Sequence, residues 1–175
     1  NYLDWRQPQR GFQDIALYNP FSSFTLTGKG DAERVRVTRV TGNYFQLLGV
    51  SPGLGRLIAP ADDTPGSARV VVLTDGFFQS HFGGDRSALG RTLVLDGDAY
   101  TVVGVLPPDV RVSYRDANPD VIVPVGLFVA NPQYARENHP GLLGVARLKP
   151  GVAFEQAIAD LQRVSAELEA EYPRS

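Results

Sequence analysis

The sequence predicts an α+β fold with mostly antiparallel or mixed sheets. Three observations carry that reading: short β-branched or alternating runs gather into hairpins, single helical segments stand between them, and few strand–helix–strand units occur. Residues 2–6 form a short helix candidate that stops before Pro8, where the backbone turns extended. Residues 12–18 read as a first strand. Residues 24–27 and 33–40 then flank Gly28-Lys29-Gly30-Asp31, a hairpin loop. Val35 and Val37 alternate with Arg34, Arg36 and Thr38, so one face of that arm is buried and one is wet. A helix over 44–48 has Asn43 as N-cap and Gly49 as its stop. A loop rich in Pro and Gly fills 51–66.

The second half starts with a buried strand over 69–73. Thr74 or Asp75 caps a helix that runs to Phe82 and ends at Gly83-Gly84, and a turn or short helix covers 85–89. The clearest hairpin follows, with arms at 92–95 and 99–105 and Asp96-Gly97 at its tip supplying the positive φ of a tight turn. Residues 120–124 and 143–148 are further strands. The final helix has the strongest periodicity, with Phe154, Ala157, Ile158, Leu161, Val164, Leu168 and Tyr172 along one face. That stripe reads as core.

At 175 residues the chain fits one compact unit with a sizeable core. Its net charge of -2 is unlike the basic footprint of a nucleic-acid binder. No apolar run reaches the ~18 residues of a membrane helix. The absence of cysteine removes disulfides, thiolate nucleophiles and cysteine metal sites. With no methionine even at Asn1, the chain reads as a processed or excised piece of a longer protein.

Catalytic groups are sparse. His81 reads as a helix-end residue near the negative pole of the helix dipole, and His139 as a loop residue without a sequence neighbour to work with. Asp62-Asp63 lacks the ligand spacing of a calcium loop and reads as a solvated turn or helix cap. No phosphate-loop or nucleophile-elbow motif occurs. The expectation is therefore a non-enzymatic domain with no cofactor or metal of its own.

Several runs, in order along nearly the whole chain, resemble the MacB-like periplasmic core domain of ABC transporter permeases of the MacB/FtsX type. They are Tyr2-Leu3-Asp4-Trp5-Arg6, Gly42-Asn43-Tyr44-Phe45-Gln46-Leu47-Leu48-Gly49-Val50, Val70-Val71-Val72-Leu73, His81-Phe82-Gly83-Gly84-Asp85, Gly90-Arg91-Thr92-Leu93, residues 100–108, and Ala146-Arg147-Leu148-Lys149-Pro150-Gly151. The resemblance implies two lobes: a porter-like lobe from 1–66 and 140–175, and a smaller α/β lobe inserted at 67–139. It implies an extracytoplasmic (periplasmic) position on the bacterial cytoplasmic membrane, anchored by flanking transmembrane helices outside this chain. The implied function is coupling of cytoplasmic ATP hydrolysis to substrate export or partner action by mechanotransmission. ATP would sit on a separate cytoplasmic ABC ATPase. Implied partners are that ATPase, a second permease copy, and a membrane fusion protein or lipoprotein; nucleic acid is not among them. Relatives usually carry Ser or Thr where Ala153 precedes the last helix.

Two surface groups are candidate partner-binding residues. Arg34 and Arg36 share a strand face, with Arg39 nearby, and could meet acidic groups of a partner subunit or lipid headgroups; the alternative is an ordinary wet face. Tyr114, Phe128 and Tyr134 flank the strand at 120–124 and would mark a partner site if exposed together. The rival reading is an extracytoplasmic small-molecule or peptide binding domain, which predicts a deep apolar cleft between the lobes.

Overall fold

The computed structural model describes residues 11–28, 30–112, 118–128 and 141–171. Its strands form one mixed 8-stranded sheet. They are β1 (Phe12–Thr27), β2 (Glu33–Val40), β3 (Leu54–Gly55), β4 (Val70–Leu73), β5 (Thr92–Leu95), β6 (Asp98–Val105), β7 (Val121–Pro124) and β8 (Leu143–Leu148). Helices α1 (Tyr44–Leu48), α2 (Asp75–Phe82) and α3 (Phe154–Glu171) stand between or after them. The strand order runs β2-β7-β4-β6-β5-β1-β8, and β1 also pairs with β2. The path therefore closes on itself through β1, where Leu26 and Thr27 meet Leu95 and Val94 of β5. Pairs β4–β6 and β2–β7 are parallel and the others antiparallel. Strands from 1–66 and from 67–139 thus share one sheet.

Alternation fills the ring. Phe24, Leu26, Val35, Val37, Val71, Leu73, Leu93, Leu95, Tyr100, Val102, Val121 and Val123 point inward, with Phe77 and Phe78 of α2 packed against them. Val70, Val72 and Ile122 face the other way and meet Tyr44, Phe45 and Leu47 of α1 in a second core. The period of two sends neighbouring residues to opposite faces, so short all-apolar strands such as β4 and β7 are buried on both sides.

Four sequence expectations change. The separate strands at 12–18 and 24–27 are one 16-residue strand, roughly 50 Å at ~3.3 Å per residue. Pro20 interrupts only the register: the ladder shifts between Asn19 and Ser22, and the Phe21 N–H donates to Asn19 Oδ1 at 2.9 Å. Asn43 occupies the N-cap of α1 without capping it. Its amide instead donates to Asp14 Oδ2 (2.7 Å) and the Ile15 carbonyl (2.9 Å), tying α1 to β1. The far end of α1 is satisfied by Arg147 of β8, whose Nε donates to the Leu47 carbonyl at 2.8 Å, a cation at the negative helix pole.

Of the two readings of the acidic pair, the helix cap holds, on the short helical turn Pro60–Asp62, and the solvated turn does not. Asp62 is buried; it accepts from the Ala59 N–H at 2.9 Å, a helix-cap contact, and from Arg56 at 2.6 and 2.9 Å. Burial pushes its carboxyl up, but the hydrogen bonds from Arg56 and Ala59 outweigh that and hold it below the ordinary carboxylate value. The Asp63 carboxylate accepts from the Gly42 N–H and the Gly126 N–H, pinning the loop between two distant segments. Glycine is required at both: a Cβ would lie 2.5 Å from Pro60 Cα at Gly42 and 2.3 Å from the Asp63 carbonyl at Gly126.

The last helix is correct in type and different in burial. Only Ala157 of α3 is buried, Leu161 packs partly against Phe12 and Ile15, and Phe154 is 64% exposed. The apolar stripe is half-covered by β1 and β8 rather than enclosed. Expectations at 2–6, His139 and Tyr172 fall outside the described residues.

Candidate functional site

The described residues form an open cleft of about 670 Å³ between β2, the start of α2, the loop after β6 and the segment leading into β7. It lies at the carboxyl ends of the parallel strands β4 and β6, where the chain leaves the sheet and α2 begins.

Asp120 builds the floor. Its carbonyl accepts from the Thr74 N–H and the Thr74 hydroxyl, both at 3.1 Å, while Thr74 Oγ1 receives the Phe77 N–H at 3.4 Å as N-cap of α2. Its carboxylate accepts from the Arg36 N–H (2.7 Å), Nε (3.3 Å) and Nη2 (2.8 Å). One residue thereby ties β2, β7 and α2 together. The hydrogen bond to Asp120 raises the Arg36 pKa further, burial opposing, so its charge is fixed.

His81 lies at the far end of the same helix. Its Nε2 is 2.9 Å from Glu33 Oε2, its Nδ1 is 2.9 Å from Ser80 Oγ, and its ring stacks on Phe77 with centroids 3.8 Å apart. A helix-end position near the dipole's negative pole was legible in the sequence; Glu33 and Ser80 as partners were not. Ser80, His81 and Glu33 have the residue types of a nucleophile, base and acid. The Ser80 hydroxyl, however, also donates to the Phe77 carbonyl at 3.2 Å, and it sits in the last turns of α2, where neighbouring N–H groups are spent within the helix. The chain of contacts from Ser80 through His81 to Glu33 ties α2 to β2.

The candidate partner residues divide between two faces. Arg34 and Arg36 lie on the outward face of β2, and only Arg36 enters the cleft. Arg39 shares the inward parity of Val35 and Val37; its guanidinium stacks 4.0 Å over the Phe128 ring and 5.5 Å from Phe24. Phe128 is half-buried against Phe24, with centroids 6.0 Å apart. Tyr114 and Tyr134 lie outside the described residues. The exposed large hydrophobic residues among those described are Phe21 (62%) and Phe154 (64%), one on the β1 bulge and one at the start of α3.

Sequence reading missed Glu33, Asp75, Asn118 and Asp120. Only Asp75 carried a local signal, as a cap candidate; the others meet through strand pairing across long sequence separations. The cleft walls are mixed, with Pro107, Pro108 and Val110 facing charged groups, unlike the deep apolar pocket expected of a small-molecule binding domain. Among the described residues no group of three or more acidic or histidine side chains is arranged to hold a metal ion, and no helix is long and apolar enough to cross a membrane.

Comparison with known proteins gives one family and several similar folds. Residues 2–164 match the family model described as MacB-like periplasmic core domain. The periplasmic region of MacB from Actinobacillus actinomycetemcomitans is 18% identical, with a TM-score of 0.72 over 99% of this chain and 73% of that one. The extracellular domain of the noncanonic ABC-type transporter YknZ from Gram-positive bacteria is 13% identical, with a TM-score of 0.71 over 99% of this chain and 83% of that one. A domain of a permease protein from Porphyromonas gingivalis is 16% identical, with a TM-score of 0.70 over 95% of this chain and 68% of that one. No curated protein sequence matches the chain.

Proposed function

The chain belongs to the family of MacB-like periplasmic core domains, and from that premise we propose that this extracytoplasmic domain of an ABC-type permease transmits movement rather than doing chemistry. ATP hydrolysis takes place on a separate cytoplasmic ATPase, and this domain holds no cofactor. Flanking membrane helices carry it, a second permease copy faces it, and a membrane fusion protein or lipoprotein is the partner acted upon. In this proposal the segments 1–66 with 140–175 and 67–139 act as two lobes that move together.

The observation that carries the reading is the path of β1. Its first half pairs with β8, from Phe12 opposite Leu148 to Tyr18 opposite Leu143, and its second half pairs with β2 and closes the ring on β5. Helix α3 rests on the start of that strand, where Ala157 packs so closely on Gly11 that a Cβ at Gly11 would lie 2.8 Å from Ala157 Cα. A displacement of α3 is therefore handed to one long hydrogen-bonded strand that enters the ring. The ring and the seat of α3 are close-packed and transmit strain, and the strand between them bends at its register shift between Asn19 and Ser22.

The test uses the cysteine-free background. Ala99 lies exposed on β6; a spin label on Ala99→Cys in both copies of the intact permease reports their separation. The expected result is a shift of several ångströms between nucleotide-free and ATP-trapped states, with labels placed within one domain keeping their distance. An unchanged separation between copies through the cycle overturns the reading.

A further inference from the structure

We infer that the cleft beside α2 is a docking site for an extended peptide segment that carries a basic side chain. Its size falls in the usual ligand-site range of ~300–1,000 Å³, and the inference does not rest on the transport reading, because it concerns binding to this chain alone.

Charge is the first argument. Glu33, Asp75 and Asp120 line the cleft against one guanidinium, Arg36, and the imidazole of His81. Asp120 is spent on Arg36, and one Glu33 oxygen is spent on His81. Asp75 differs: Oδ1 receives only the Gln79 amide at 3.3 Å, and the residue makes no ion pair among the described residues. A carboxylate with one unoccupied oxygen, on the wall of a cleft where three carboxylates face one guanidinium, suits a cation.

Shape and hydrogen bonding narrow the class. Pro107, Pro108, Val110 and Pro119 form a stiff apolar wall, which suits the methylene stem of Lys or Arg while the charged head reaches Asp75. The wall is already rigid, so little ordering is needed on binding. The Thr74 cap takes the Phe77 N–H and leaves the Asp75 and Gly76 N–H groups of α2 without an acceptor within the helix, and the Asn118 amide is exposed with no hydrogen bond among the described residues. Those donors, with the Asn118 oxygen as acceptor, match the alternating groups of a peptide backbone. A small amine would use the carboxylate and leave them idle. The cleft is open, so a longer segment can enter and leave it.

The probe is a fluorescein-labelled heptapeptide with a central arginine flanked by alanine and proline, titrated into the 175-residue chain by anisotropy. Binding is expected, weakened by salt, about ten-fold or more weaker when Asp75→Asn removes the charge, and similarly weaker when the peptide's arginine is replaced by glutamate. Thermal unfolding checks that the variant is folded, and Asn118→Ala gives a second, fold-neutral variant that weakens the backbone contacts. Equal binding of the glutamate peptide, an unchanged affinity in Asp75→Asn, or no binding at millimolar peptide overturns the proposal. Competition by free arginine as strong as by the peptide also overturns it, in favour of a small-cation site. None of these outcomes bears on the inter-copy movement, so the two readings fail separately.

Discussion

Replacing Gly11 by alanine tests the seat on which the transmission argument depends. The new methyl would lie 2.8 Å from Ala157 Cα, 3.0 Å from its Cβ and 3.5 Å from Asp160 Oδ2. Carbon atoms that touch rest at ~3.5–4.0 Å, so α3 must back away by about 1 Å. Overpacking of this kind costs about 1–3 kcal/mol. Loss of glycine's freedom in the unfolded chain returns about 0.4–1 kcal/mol, because Gly11 does not have a positive φ and alanine suits its backbone. The net expectation is a loss of about 1–2 kcal/mol, read in urea as a lower midpoint with an unchanged slope. Gly144→Ala on β8 is the matched control, since its nearest neighbour is Leu17 Cδ2 at 3.8 Å, an ordinary van der Waals distance. Adding Ala157→Gly should recover only part of the loss, because it removes the clash with the side-chain methyl and leaves the clash with the helix backbone. A Gly11→Ala chain as stable as the parent, or simple additivity of the two changes, would refute the close seating of α3 on β1.

Two further changes test other parts of the fold. Asp62 has a depressed pKa when folded, so its contribution is complete above the unfolded value of about 3.9 and is lost as pH falls through the lower folded value. Asp62→Asn should therefore cost about 1 kcal/mol at neutral pH, held down by the exposure of Arg56, and flatten the acid limb of the stability curve below pH ~4; an unchanged acid limb assigns that limb to other groups. Ala153→Ser supplies the missing cap oxygen ahead of α3 and should stabilise by about 0.5–1 kcal/mol in thermal unfolding. A neutral or destabilising result means that the first-turn N–H groups already have partners.

What the sequence showed depended on range. The Asp96-Gly97 hairpin, the Thr74 cap and the Gly49 and Gly83 helix ends were legible because each is decided by a few adjacent residues, and all appear with the expected left-handed glycines. The strands at 12–18 and 24–27 read as separate because the residues between them lack a strand pattern and include Pro20; a bulge and the Asn19 side chain carry β1 across that proline. The stripe on α3 was identified in type and misjudged in depth, since periodicity shows which face is apolar and not how much surface is offered to it. Asp120 was invisible as a site residue. Its role depends on β2 and β7 lying side by side in parallel, a pairing between residues some eighty positions apart in which nothing local singles it out.

The same topology links the two proposals physically. The cleft is built from ring strands and the segments attached to them, with Glu33 and Arg36 on β2, Asp120 leading into β7, and α2 following β4. Helix α3 and β8 contribute nothing to its lining. Among the described strands, β1 is the one that pairs with both β8 and β2, and the Arg147–Leu47 contact also joins β8 to α1, so an occupied cleft can influence α3 along β1 or through α1. The weak point on the β1 route is the register shift between Asn19 and Ser22, where the ladder to β2 is interrupted beside the exposed Phe21. A regular ladder carries displacement along its full length, whereas a bulge lets the two halves bend relative to each other. The fold therefore places one bend on the β1 route and braces β8 against the ring through α1, while Asp120 pins the cleft itself to β2, β7 and α2.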